Sequence, residues 1–131
     1  MRFAMKRTLT ALTALFAIGS MACADQQQAP PSCFFVHETW SWKAADAQTM
    51  YIRVFPNRFY RLDLVAQCPS LLRPDAQLIT VHRSDSICNA LDWDLKVRPG
   101  MGGIAVPCIV KKMTPLTPAE AAQIPAKFKP N

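Results

Sequence analysis

The sequence predicts a mainly β domain with a minor helical part: a small antiparallel sheet, curled into a barrel or sandwich, with a short C-terminal helix. Three observations predict this fold class. Five or six short segments rich in β-branched and aromatic residues are separated by turn residues. Several of these segments alternate apolar and polar side chains, as strands with one buried face do. A helix-start pattern stands near the end of the chain.

The first 24 residues have the three parts of a signal peptide. A basic start (Arg2, Lys6, Arg7) precedes an uncharged, mostly apolar run from Leu9 to Met21. That run is short for a membrane span. Ala22-Cys23-Ala24 then fits the small-x-small cleavage rule, which predicts a mature chain from Asp25 to Asn131, 107 residues long.

A second cleavage remains open, because Ala22 before Cys23 also fits a lipoprotein signal in which Cys23 is acylated. The soluble cut is favoured, since Ser20 stands where such signals usually carry an aliphatic residue. We therefore expect a periplasmic or secreted protein without a transmembrane span, or alternatively a membrane-anchored lipoprotein. Loss of the three leader cations lowers the formal net charge from +6 to +3, which argues against a nucleic-acid partner.

Both cuts leave four cysteines, Cys33, Cys68, Cys88 and Cys108, for the folded part. In an exported chain these predict two disulfides. Their wide spacing lacks the close pairs of a zinc site, so neither a metal nor another cofactor is predicted. Three pairings are open. We expect the nested one, Cys68 with Cys88 and Cys33 with Cys108, on the assumption that the first and last strands lie side by side.

The elements follow in order. Residues 25–32 read as a polar, Pro-rich tether, and a single disulfide-bonded β domain is expected over residues 33–125, with a first strand near Cys33. The clearest signal is a hairpin, with strands Met50–Phe55 and Phe59–Val65 around Pro56-Asn57. Period-2 alternation assigns one set of side chains to a buried face (Ile52, Val54, Tyr60, Leu62, Leu64) and another to a wetter face (Tyr51, Arg53, Phe55, Arg61, Asp63).

Further strands are expected within residues 76–83, 93–99 and 104–113, where Pro107 favours an edge strand or a bulge. The glycine-rich segment Gly100–Gly103 reads as a turn. Thr117-Pro118-Ala119-Glu120 predicts the start of a helix that ends before Pro125, and residues 126–131 are assigned to a tail.

No catalytic residue is predicted. The two histidines, His37 and His82, are not brought together by any pattern, and Asp92 and Asp94 fit a solvated face or a turn. The sequence lacks a G-x-S-x-G nucleophile elbow. The candidate binding face is the hairpin, with Tyr51, Arg53, Phe55, Arg58 and Arg61, because arginine forks and aromatic rings suit anionic sugars, lipid head groups or a partner protein. The alternative is a structural face whose arginine stems cover aromatic rings.

Several stretches together resemble a known but uncharacterised family of small exported bacterial proteins, a domain of unknown function: CFFVHETWSW, MYIRVFPNRFYRLDL, QCPSLL, SICNALDWDLKV, CIVKKMTPLTPAEAA and the order of the four cysteines. The resemblance covers about Cys33 to Ala122. It implies an envelope location, sometimes through a lipid anchor, and supplies neither a reaction nor catalytic residues.

Two functions are therefore expected. The first is a non-enzymatic binding or structural module whose partner is an envelope protein or an anionic envelope component. The second is a periplasmic inhibitor of an envelope enzyme such as a cell-wall hydrolase, which rests on analogy of fold. If the hairpin is ordinary solvated sheet, the site is expected around Trp40, Trp42 and the Gly100–Gly103 turn.

Overall fold

The computed structural model describes residues 32–81 and 85–131, together with the main chain but not the side chain of Trp40. The predicted signal peptide with Cys23, the tether up to residue 31, and His82 lie outside the described residues.

The described residues are mainly β, with nine strands and one short helix. The strands are β1 (Phe34–Phe35), β2 (Thr39–Ala44), β3 (Thr49–Val54), β4 (Arg58–Leu64), β5 (Ala76–Val81), β6 (Ser86–Ile87), β7 (Asp94–Pro99), β8 (Val106–Pro107) and β9 (Val110–Leu116). Helix α1 spans Pro118–Ala122. Single 3-10 turns occupy Val36–Glu38, Pro69–Leu72, Ala90–Asp92 and Ala126–Phe128.

These strands form three antiparallel sheets, in the orders β1-β6, β2-β3-β4-β9 and β5-β7-β8. The four-stranded and three-stranded sheets share one hydrophobic core, to which the hairpin strands contribute most of the fully buried side chains. The described residues contain no closed barrel.

The predicted hairpin is confirmed as β3 and β4, and its alternation is confirmed as well. The side chains assigned to the buried face are at most 3% exposed, while those assigned to the wetter face are half-buried or exposed. Pro107 lies in β8, at the edge of the three-stranded sheet, as its missing N–H requires. The helix start is also confirmed, because Thr117 Oγ1 accepts the Glu120 N–H and Glu120 Oε2 accepts the Thr117 N–H.

The expected disulfide pairing is wrong. Cys33 is bonded to Cys88, and Cys68 to Cys108. The reason is strand order: β1 pairs with β6, whereas β9 pairs with β4, so the first and last strands are not neighbours.

Strand register then explains each bond. In the antiparallel pair β1-β6, Phe34 lies opposite Ile87, so the residue before Phe34 faces the residue after Ile87. In the pair β4-β9, the end of β4 lies beside the start of β9, which brings Cys68 to Cys108.

Candidate functional site

The outer face of the four-stranded sheet carries three of the five residues predicted to bind a partner: Tyr51, Arg53 and Arg61. Tyr51 and Arg61 are directly opposite each other on β3 and β4. Arg53 is two residues further along β3, opposite Phe59. These three residues therefore form one surface, as the period-2 pattern predicts.

Arg58 does not belong to this surface. It alternates with Phe59 and Arg61, so it lies on the core side of the sheet at the hairpin end. Its Nη2 donates to Glu38 Oε2 at 2.9 Å and to the Phe55 carbonyl at 3.4 Å, and its Nη1 donates to the Cys33 carbonyl at 3.2 Å. The structure thus gives Arg58 a structural role, tying the hairpin end to the N-terminal part of the domain.

Glu38 completes this contact between the hairpin end and the N-terminal part of the domain, which we call the Arg58 junction. Its carboxylate accepts the Phe35 N–H at 2.9 Å and pairs with Arg58, and these contacts hold the pKa of Glu38 below its ordinary value. Burial raises the pKa of Tyr60, whose side chain is fully buried on the same side of the sheet. Phe55 lies at this end too and is 57% exposed.

Cations cross the outer face of the four-stranded sheet in a diagonal line. Lys112 on β9 lies opposite Asp63 on β4, and Arg61 is two residues from Asp63 along β4. Arg61 in turn lies opposite Tyr51 on β3, and Arg53 is two residues from Tyr51 along β3. Neighbouring cations on this line are diagonal neighbours, which in antiparallel sheets are about 7–8 Å apart. Lys43 on β2, opposite Tyr51, is a further diagonal neighbour of Arg53. We call the outer face marked by Lys43, Arg53, Arg61 and Lys112 the basic face.

One acid accompanies these four cations on the outer positions of the described strands. Asp63 Oδ1 accepts hydrogen bonds from Arg61 at 2.9 Å. Within residues 32–81 and 85–131, Lys43, Arg53 and Lys112 have no carboxylate within ion-pair distance. With four cations and one paired acid on its strand positions, the face carries a net positive charge.

The chain after β9 crosses the same face. Residues 117–131, which we call the C-terminal strap, include α1 and the 3-10 turn Ala126–Phe128. Ala121 and Ile124 are buried against Phe59, with Tyr51, Leu116 and Phe128 packed around them. The strap reaches β2, where Ser41 Oγ donates to the main-chain oxygen of Asn131 at 2.6 Å. Residues 126–131, assigned to a tail from the sequence, thus lie on the sheet.

The strap brings two more cations. Lys129 Nζ lies 5.3 Å from the centroid of the Phe59 ring, and Phe59 is opposite Arg53 on the neighbouring strand. Lys127 lines a surface cleft together with Lys43. Sequence reasoning missed Lys43, Lys112, Lys127 and Lys129, because only the order of the strands and the path of the strap bring them beside β2, β4 and the Phe59 ring.

Two clefts lie along the basic face on either side of Arg61. One, of about 290 Å³, lies between the sheet and the strap and is lined by Tyr51, Arg61, Leu116, Glu120, Gln123 and Ile124. The other, of about 370 Å³, lies at the end of β4 and the start of β9 and is lined by Gln48, Thr49, Arg61, Asp63, Leu64, Lys111 and Lys112. Arg61 lines both clefts and lies between them, so the two clefts are neighbours on the face, and we call them together the groove.

The other residues considered from the sequence are separate from this groove. His37 is exposed, and its ring stacks on Phe35 at 5.6 Å. Asp92 accepts the N–H groups of Cys88 and Asn89, so it caps a 3-10 turn, whereas Asp94 is exposed on β7. In the part of the chain that the structure describes, no three His, Cys, Asp or Glu side chains are grouped as metal ligands. No helix there has the length and apolar character needed to cross a membrane.

Comparison with known proteins identifies one family. The model of a family of unknown function, DUF6491, matches residues 4–127. This match confirms the resemblance to an uncharacterised family. No curated protein and no solved structure matches the chain.

Proposed function

Because the chain belongs to the DUF6491 family, whose function is unknown, its role has to be inferred from its own surface. We propose that it is a non-enzymatic binding module of the cell envelope that holds an anionic envelope component on the basic face. The scaffold in this proposal is a small β-sandwich, supported by the core that the four-stranded and three-stranded sheets share.

The observation that carries the proposal is the diagonal line of Lys112, Arg61 and Arg53 with a single acid beside it. Like charges directly opposite each other destabilise a sheet, and the diagonal cations of this line repel each other more weakly over a longer distance. An anionic partner would offset this repulsion, and the positive field of the face would speed its association.

The envelope location is part of the proposal. It is supported by the leader pattern and by two disulfides, which persist in oxidising compartments such as the periplasm or the exterior. Both the soluble form that begins at Asp25 and a form acylated on Cys23 would expose the same face.

A second function is favoured by a different observation. Two aromatic side chains near the Arg58 junction, Phe35 and Phe55, are 51% and 57% exposed. Exposed aromatic rings are typical anchors of protein interfaces, which suits an inhibitor of an envelope enzyme such as a cell-wall hydrolase. Capture of such a hydrolase by the mature domain, lost in Phe35→Ala with Phe55→Ala, would support this second function.

The test of the first function is binding of the mature domain to isolated envelope fragments. Arg53→Ala with Arg61→Ala should lower binding roughly 30-fold or more, since loss of an anchoring arginine costs about 2 kcal/mol or more. The melting temperature should change little, because Arg61 is exposed and Arg53 only half-buried, and substitutions outside the core usually alter stability by only about 0.5 kcal/mol.

The matched control is Lys96→Ala with Arg98→Ala, which removes two cations from β7 of the other sheet. Equal loss of binding in the control would reduce the effect to net charge and contradict a specific face. A double variant that melts much earlier yet still binds would make Arg53 and Arg61 packing groups.

A further inference from the structure

The groove centred on Arg61 has features that point to one class of ligand. We infer that it binds an acidic polysaccharide, with a sugar ring against Tyr51 and a carboxylate of the chain on Arg61. This inference rests on the proposed function and specifies its ligand.

The first step is the chemistry around Arg61. Its Nε and Nη2 both bond to Asp63 Oδ1 at 2.9 Å, while Nη1 has no hydrogen-bond partner within the described residues. A guanidinium presents five donors in a planar fork, so Arg61 can hold Asp63 and still receive a carboxylate. Asp63 in turn fixes the arginine in place before a ligand arrives, which lowers the entropic cost of binding.

The second step is the pairing of this cation with an aromatic ring and an amide. Tyr51 lies directly opposite Arg61 and lines the same cleft between sheet and strap. Gln123 of the strap lines that cleft too and is exposed. A ring face, an amide and a guanidinium match the apolar face, the hydroxyls and the carboxylate of an acidic sugar.

The third step is the extension of the groove. On the other side of Arg61, the second cleft carries Lys111 and Lys112, both exposed. A linear chain that leaves the first cleft past Arg61 therefore meets two further cations. Glu120 stands at the opposite end, but its carboxylate is held by the Thr117 N–H at 2.7 Å. Within the groove, Lys111 and Lys112 thus lie on one side of Arg61 and Glu120 on the other, and a row of cations suits a polymer with repeated charge.

A membrane surface is a poorer fit than a glycan. Proteins that lie on a membrane bury apolar side chains at the boundary between head groups and acyl chains. Among the described residues, the exposed large apolar side chains are Phe35, Phe55, Val65, Leu72, Val81, Leu91, Met101, Ile104, Val106 and Ile109. None of them occupies an outer strand position of the basic face. Phe55 and Val65 follow the ends of β3 and β4 beside the face. The strand positions of the face itself can attract an anionic surface but carry no exposed large apolar side chain to insert into it.

The experiment compares three probes on the mature domain: polygalacturonate, neutral dextran and phosphatidylglycerol vesicles. Polygalacturonate should bind and dextran should not. Arg61→Gln should weaken binding of polygalacturonate at least tenfold, and Gln123→Ala should weaken it severalfold without changing any attraction to the vesicles. Arg98→Gln, which removes a cation from the other sheet, should change each of these affinities less than twofold. Melting temperatures of all variants confirm that they are folded.

The outcomes distinguish failure of the glycan site from failure of the anionic-component function. Binding to the vesicles but not to polygalacturonate would overturn the glycan while leaving an anionic component in place. Binding to polygalacturonate that Arg61→Gln and Arg98→Gln weaken equally would overturn the groove. Absence of binding to either anionic probe, with envelope fragments also unbound, would overturn the proposed function itself.

Discussion

Arg53 and Arg58 show how neighbours decide the role of a residue type. Both are arginines of the same hairpin, and composition alone does not distinguish them. Arg53 faces outward beside other cations, whereas Arg58 faces the core side and bonds to Glu38, which is 20 residues away in sequence. The period-2 pattern predicted that Arg53 lies on the outer face. It could not predict that Arg58 bonds to Glu38, because that contact depends on how the N-terminal segment folds back.

The Arg58 junction predicts that the stability of the fold depends on pH through the titration of Glu38. A carboxyl whose pKa is lowered in the folded state contributes stability above its ordinary pKa, about 4.3. This contribution is lost as the pH falls through the lower pKa of the folded state. Glu38→Gln keeps the side-chain shape and removes this titration. We expect the variant to be less stable than the wild type at neutral pH and to lose less stability between about pH 5 and pH 3.

Thermal unfolding followed by circular dichroism over this range would measure the difference. Asp94→Asn, which removes an exposed carboxylate without an ion pair in the described residues, is the control for loss of one acidic group. Parallel pH profiles for wild type and Glu38→Gln would show that the junction does not couple stability to acid.

At the scale of the elements, the sequence predicted what is local. Strands expected at Met50–Phe55 and Phe59–Val65 are found at Thr49–Val54 and Arg58–Leu64, since alternation and turn residues are read within one hairpin. The helix cap at Thr117 is equally local. The pairing of β4 with β9 joins segments about 50 residues apart, and no pattern within either strand names its partner.

The C-terminal strap was not predictable for the same reason. Its last residues, with two lysines and two prolines after Ile124, have the composition of a solvated end. Their position on the sheet depends on Ile124 and Phe128 finding the ring of Phe59, and this ring lies on the outer face of a hairpin more than 50 residues earlier.

Packing of the strap is testable with two isoleucines of opposite exposure. Ile124 is 7% exposed in the cluster around Phe59, whereas Ile109 is 67% exposed. Ile124→Ala should lower the free energy of unfolding by about 2 kcal/mol, because it leaves a cavity between strap and sheet. Ile109→Ala, the same chemical change, should alter it by less than about 0.5 kcal/mol. Urea denaturation of both variants measures this, and equal effects would mean that the strap contributes no stability.

At the scale of the molecule, the two disulfides cross in sequence, because Cys68 lies between Cys33 and Cys88 and is bonded beyond them. One bond secures the small β1-β6 sheet, and the other joins the end of β4 to the start of β9. The sequence predicted that four cysteines would pair, but their partners follow from strand order, which is a property of the whole fold.

The two bonds differ in access, and this predicts an order of reduction. Cys33 and Cys88 are exposed, whereas Cys68 and Cys108 are 5% and 3% exposed. Reduction proceeds by attack of a thiolate on sulfur, so it requires access. Under limiting dithiothreitol, we expect Cys33–Cys88 to open first. Alkylation and peptide mapping identify the freed cysteines, and reduction in strong denaturant should abolish the difference. Earlier opening of Cys68–Cys108 in the folded protein would contradict the burial described.

The leader pattern predicts which form of the molecule is exported. The tether of residues 25–32 spans at most about 28 Å when fully extended. A form acylated on Cys23 would thus keep the domain close to the membrane, while cleavage after Ala24 would release it. The small-x-small pattern and Ser20 favour release, so the intact mass of the protein from envelope fractions should equal residues 25–131 with two disulfides. Additional mass from acyl chains on Cys23 would establish the anchored form, and a chain that still begins at Met1 would contradict export by either route.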